Sequence, residues 1–147
     1  MIKLNIINDY NDGLSIENSS IDKLIKKLFD SEGYDCAKIN IILTNRDFLS
    51  NLKKEYFNVN QYTDVIAFNL EEKGEEIDGE IYISIDDVLE NSNIFSVSFN
   101  DEFKRILIHG ILHLLGYDDQ KSDEIKVMKS LEEKYLLNSN NDIIFLK

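Results

Sequence analysis

Three residue types are scarce or missing. The 147-residue chain has one cysteine, Cys36, and neither proline nor tryptophan. A lone thiol excludes an intramolecular disulfide and a thiolate metal site, which leaves Cys36 an expected role as a small buried hydrophobe. The missing Pro and Trp, beside many Asn, Ile and Lys, match the codon bias of an AT-rich genome. That is a hypothesis the base composition of the gene would decide, and it carries no chemistry. No apolar run reaches the roughly 18 residues of a membrane span, and no basic stretch precedes an apolar one near Met1. No membrane association is expected, and the expected compartment is the cytoplasm. Basic charge is also short: 16 Lys and Arg face 28 Asp and Glu, for a net charge of −12. Neutralising many phosphates needs clustered cations, so any nucleic-acid contact is expected to be local.

What is present suffices for one core. With 43% hydrophobic residues, residues 1–147 read as a single domain. "IKLNIIN" alternates as a strand, and "NDG" (Asn11 to Gly13) turns the chain. Ser19 or Ser20 is then the expected cap of a helix, "IDKLIKKLFDSEG", with Gly33 as its stop. "AKINIILT" reads as a second strand. Thr44 or Asn45 is expected to cap a helix to about Tyr56 that buries Phe48, Leu49 and Leu52. Thr63 to Leu70 and Gly79 to Ile85 read as further strands, separated by the acidic loop "EEKGEEIDG". "SIDDVLEN" suits a short helix. A long helix is expected from Ser98 or Asn100 to Gly116, with Asp101 and Glu102 favouring its positive end. Ser122 is the expected cap of a last helix carrying Ile125, Met128, Leu131 and Tyr135 on one face. The tail "NSNNDIIFLK" suits a short extended segment. The pattern is α+β, a small mixed β-sheet covered by helices.

The segment with the most chemistry is "HGILHLLGYDD", His109 to Asp119. Residues four apart on a helix point the same way, so His109 and His113 can share one ion. Gly116 can take a left-handed conformation and fold the chain back, bringing Asp119 beside them. Three ligands with an open fourth position mark a catalytic rather than a structural zinc site. A single histidine on an apolar helix face is more often a satisfied core residue, and a His pair can simply meet solvent. Both histidines of the chain fall in this one pattern, which favours metal.

"HGILHLLGYDD", preceded by "TDVIAF" and "GEIYIS" and followed by "MKSLEEKYL", resembles the YbeY family of bacterial metal-dependent endoribonucleases over most of the chain. The resemblance implies an α+β fold with a zincin-like metal helix and one zinc per chain. It further implies cleavage of single-stranded ribosomal RNA, especially at the 3′ end of the small-subunit RNA, and ribosome quality control. His109 and His113 match the first two ligands, and the third, usually His, is Asp119. The family commonly has arginine where this chain has Phe57 and aspartate where it has Asn60. The Asp119 ligand and the missing arginine resemble a Bacteroidetes-like branch.

Candidate supporting groups follow. Lys104 and Arg105, one turn before His109, are candidates for phosphate contact, as are Lys53 or Lys54 in place of the missing arginine, although Lys and Arg are ordinarily solvated. Asp64 and Asp118 are candidates to orient a histidine or move a proton, and Asp118 equally suits a turn. The catalytic set is therefore His109, His113, Asp119, Asp64 and Arg105. A metzincin-type zinc protease is the rival enzyme, but its general base follows the first histidine, where this chain has Gly110. A ribosome-associated binding protein with a structural metal is the third reading. Because the chain is acidic, ribosomal proteins or a ribosome-associated GTPase are expected to deliver the RNA.

Overall fold

A computed structural model describes residues 1–11, 13–58, 63–72, 74–139 and 144–145. Asp12, Asn60, Lys73 and most of the tail read above lie outside them. The elements run β1 (Ile2–Asn8), α1 (Asn18–Ser31), β2 (Ala37–Thr44), α2 (Arg46–Phe57), β3 (Val65–Asn69) and β4 (Ile77–Ser84). Then come α3 (Ile85–Ile94), α4 (Phe99–Leu114) and α5 (Ser122–Asn138). The sheet order is β1-β2-β4-β3. β1, β2 and β4 are parallel, and β3 is antiparallel to β4, which makes the sheet mixed as expected.

The period-2 alternation of the strands separates two faces. Ile39, Ile41 and Leu43 of β2 with Ile81 and Ile83 of β4 are fully buried against α1 and α4. The register aligns Ile41 with Ile81 and Ile83 with Val65, so one apolar face continues to the β3 edge. α1 meets it with Ile21, Leu24, Ile25, Leu28 and Phe29. α4 is buried nearly all round, since α3, α5 and the sheet surround it. That enclosure explains why "FKRILIHGILHLL" lacks a continuous polar stripe. No described helix is long and apolar enough to cross a membrane.

Several local expectations are corrected. Glu17, rather than Ser19 or Ser20, occupies the N-cap position of α1, and its side chain makes no capping hydrogen bond. The tail fixes the chain there: Glu17 N–H donates to Ile144 O at 2.6 Å, and Ile16 bridges Phe145. Ser98, not Asn100, caps α4, accepting from Asp101 N–H at 3.0 Å. Asn100 instead clamps the tail, its Oδ1 accepting from Ile144 N–H and Phe145 N–H at 2.8 Å each. Lys121 precedes α5 at the expected place of Ser122, because the Glu124 carboxylate accepts Lys121 N–H at 2.9 Å. In α2, Asn45 does cap, accepting Phe48 N–H at 2.8 Å. Phe48 is exposed rather than buried, since it stacks on Tyr82 over the outer, thinly covered sheet face. Ile125 is likewise exposed, at the outer edge of the α5 stripe. β4 begins two residues before Gly79, where Ile77 and Asp78 extend the ladder with β2. Cys36 is half-buried rather than enclosed.

The Asn100 clamp yields a stability prediction. Asn100→Ala leaves two tail N–H groups without their acceptor, which costs about 1–3 kcal/mol. A lowered urea midpoint checks it; a midpoint equal to wild type would show that the tail contributes nothing through this clamp.

Candidate metal centre

α4 brings the two histidines together and its termination brings the third group. His109 and His113 stand one turn apart, with Nε2 atoms 3.0 Å from each other. After Leu114 the helix closes in a Schellman arrangement: Gly116 N–H donates to His113 O and Tyr117 N–H to Leu112 O, both at 3.0 Å. Gly116 has φ +102°, a region that other residues enter only at a cost. The reversal places Asp119 with Oδ2 3.2 Å from His109 Nε2 and Oδ1 3.6 Å from His113 Nε2. Gly116→Ala is expected to cost about 1–2 kcal/mol through the left-handed backbone and to loosen Asp119. Denaturation and a metal titration check it; unchanged values in both would show that the turn is not held by this residue.

These separations fit a metal. Atoms bound to tetrahedral zinc through bonds of roughly 2.0–2.1 Å stand about 3.3–3.5 Å apart. The chemistry of the donors agrees. Glu132, on α5 and only 7% exposed, lies 2.6 Å from His109 Nδ1. A carboxylate accepts, so Nδ1 donates, and in the neutral imidazole His109 Nε2 then carries a lone pair facing Asp119 and His113. With both Nε2 atoms deprotonated, the two rings and the Asp119 carboxylate present three donor atoms to one cation. Among the described residues, His109, His113 and Asp119 form the group that could hold a divalent ion.

A charged network lies beneath. The Arg105 guanidinium donates to Glu102 at 2.9 and 2.5 Å, lies 3.6 Å from Glu132 and reaches Asp64 at 4.0 Å. The Glu102 hydrogen bonds raise the Arg105 pKa, against burial, so the group stays charged. Burial pushes the Asp64 carboxyl above the ordinary aspartate value, although Arg105 and His109 pull it the other way. Burial alone would lower His109, but the Glu132 hydrogen bond and charge, with Asp119 and Asp64 behind, raise its pKa.

The cluster opens into a cleft of about 550 Å³ between α4, β3 and the end of α2. Asp64, Asp118 and Asp119 line it, together with both histidines, Lys53 and Phe57. Of the two lysines considered for the arginine's place, Lys53 reaches the cleft and Lys54 does not line it. Arg105 stands behind the cleft, in a smaller cavity shared with Asp64 and His109, with its charge taken up by carboxylates. Lys104 as a phosphate group is contradicted. It is 1% exposed, and its Nζ donates to Ser139 O at 2.6 Å at the negative end of α5. Asp118 makes turn chemistry, its Oδ1 accepting Asp119 N–H at 2.9 Å.

Glu132 was not among the sequence candidates. The available signal was a carboxylate on the apolar stripe of α5, between Met128 and Tyr135 at helical spacing. Gly110 has a packing reason. A Cβ there would stand 3.1 Å from Ile81 Cγ2 and 3.2 Å from Val65 Cγ2, so α4 lies close against the sheet and any larger residue requires those side chains to give by a few tenths of an ångström.

Known proteins resemble this chain. A family model described as Endoribonuclease YbeY matches residues 5–140. The Endoribonuclease YbeY of Flavobacterium psychrophilum is 38% identical over 120 residues, covering 82% of this chain and 85% of that one. That of Karelsulcia muelleri is 44% identical over 100 residues, covering 67% and 70%. That of Salinibacter ruber is 32% identical over 145 residues, covering 87% and 92%. The solution structure of TM1509 from Thermotoga maritima matches with a TM-score of 0.63 at 29% identity, covering 95% of this chain and 89% of that one. A family match across both histidines and Asp119, with relatives above 30% identity along most of the chain, makes this protein a member of the YbeY endoribonuclease family.

Proposed function

We propose that this chain is a zinc-dependent endoribonuclease of single-stranded ribosomal RNA, with one ion held by His109, His113 and Asp119. The observation that carries the reading is the convergence of three metal-ligating side chains, two imidazoles and a carboxylate, in an open cleft. Membership of an endoribonuclease family supports the reaction class. When bound, zinc with three protein ligands supplies Lewis acidity, which acidifies water and stabilises charge on phosphoryl oxygens.

The chain's own residues do the rest. Glu132 fixes the His109 ring and its tautomer. Arg105 is a positioning residue, holding Glu132 and Asp64 in register rather than touching RNA. Asp64 lines the cleft beside His109, where its carboxyl is placed to move a proton at Oδ1 during cleavage. Lys53 meets a non-reacting phosphate. The proposed setting is the cytoplasm, with maturation of the small-subunit RNA 3′ end and ribosome quality control as the roles. Ribosomal proteins or a ribosome-associated GTPase would present the RNA, because a net charge of −12 gives little grip on naked strands. Tight, steeply salt-dependent binding of naked RNA would remove the need for delivery.

Elemental analysis and a chelator-sensitive cleavage assay on single-stranded RNA and on casein test the reading. Stoichiometric zinc with RNA cut and casein intact is the expected result. Cleavage of casein would make the protein a protease, and metal without either activity would make it a binding protein with a structural ion.

A further inference from the structure

The cleft has an aromatic rim that the metal chemistry does not use. Phe57, the last residue of α2, lines the cleft with the two histidines and is 47% exposed. Its ring is braced: Phe68 stacks on it at 5.7 Å between centroids and 21° between planes. Phe68 is held in turn by edge contacts to Tyr56 at 5.5 Å and Tyr82 at 5.9 Å. One turn before Phe57, Lys53 carries its Nζ 5.4 Å from the Phe57 centroid and lines the same cleft.

We infer that Phe57 is a stacking platform for an unpaired nucleobase of the RNA, with Lys53 meeting the phosphate beside it. The inference rests on the endoribonuclease reading above and adds how the strand is seated. An acidic protein draws little affinity from phosphate neutralisation, whereas stacking on an aromatic ring is independent of net charge and tolerant of sequence. A base inside a duplex has no free face to offer, so such a platform selects single strands. The Lys53 ammonium sits on a flexible four-carbon stem and can leave the ring for a phosphate as a base arrives. A purely structural role, in which Phe57 only pins the last turn of α2 to Phe68, predicts none of this selectivity.

The test uses metal-loaded protein and a short single-stranded RNA carrying 2-aminopurine, whose fluorescence is quenched on stacking, read at mixing before cleavage. Wild type is expected to quench it. Phe57→Leu should lose the quench and raise the KM for cleavage by about tenfold with kcat little changed, and Phe57→Trp should restore both. Wild type should also bind a strand with abasic residues about tenfold more weakly than the intact strand, a comparison independent of how the variants fold. Equal affinity for intact and abasic strands, or wild-type KM and quench in Phe57→Leu, overturns the platform while leaving the nuclease standing. A wild type that neither binds nor cuts the strand overturns both.

Discussion

Asp119→Ala is expected to lose its zinc and to cut RNA at least about a hundredfold more slowly than wild type. Loss of a mere supporting partner of a ligand already costs about 10–100-fold, and Asp119 contributes an oxygen itself. Its two carboxylate oxygens span both histidines, at 3.2 Å from one Nε2 and 3.6 Å from the other. Without them the helix offers two imidazoles and no carboxylate. Metal content measured beside cleavage decides the matter; retained zinc with retained activity would take Asp119 out of the ligand set. Asp119→His separates the charge of the ligand from its presence. Replacing the carboxylate with imidazole raises the formal charge of ion and ligands from +1 to +2, which pulls harder on water. The variant should hold zinc and show a lower kinetic pKa for cleavage, with less tolerance of harder ions such as manganese. A kinetic pKa that stays level or rises would count against the charge argument.

The parts of the site that lie close in sequence were legible because helical geometry is local. The His109–His113 spacing, Gly116 as the reversal and Asp119 beyond it depend only on the pitch of one helix and one left-handed residue. Ser98, Asn45 and the alternation of β2 and β4 were readable for the same reason. What was hidden depends on contacts far along the chain. Lys104 was a candidate for phosphate contact, with solvation as the ordinary alternative, yet α5 ends where its ammonium meets the Ser139 carbonyl and excludes both. Ser19 and Ser20 are capping residue types, but the tail holds the chain at Glu17, two and three residues earlier, and the helix starts from there. Phe48 kept helical spacing with Leu49 and Leu52, but the outer sheet face beneath it is only partly covered, so it lies flat on Tyr82. Glu132 is the most consequential case. It belongs to a different helix from the histidine it orients, and no local rule connects them.

Glu132→Gln is expected to weaken zinc binding by about 10–100-fold, and Glu132→Leu by more. The carboxylate has two tasks, and the two substitutions divide them. It accepts the His109 Nδ1–H at 2.6 Å, which fixes the ring and keeps the Nε2 lone pair aimed at the other ligands. Glutamine retains an acceptor of the same reach but gives up the charge that makes the imidazole a stronger donor to metal. Leucine gives up both and leaves Nδ1 without its acceptor, so the ring can turn or change tautomer. Glu132 also lies 3.6 Å from Arg105, whose guanidinium is held by Glu102 and approached by Asp64 as well. Because that cation keeps other carboxylates, unfolding of metal-free Glu132→Gln should shift less than zinc affinity does. Zinc titration and urea unfolding of the metal-free variants read the two effects separately. If both variants fold and bind zinc as tightly as wild type, Glu132 is a buried partner of Arg105 and has no part in presenting His109. If affinity falls in proportion to stability alone, the carboxylate acts through folding. A large loss of affinity with small loss of stability places it as the group that holds the first histidine ready for metal.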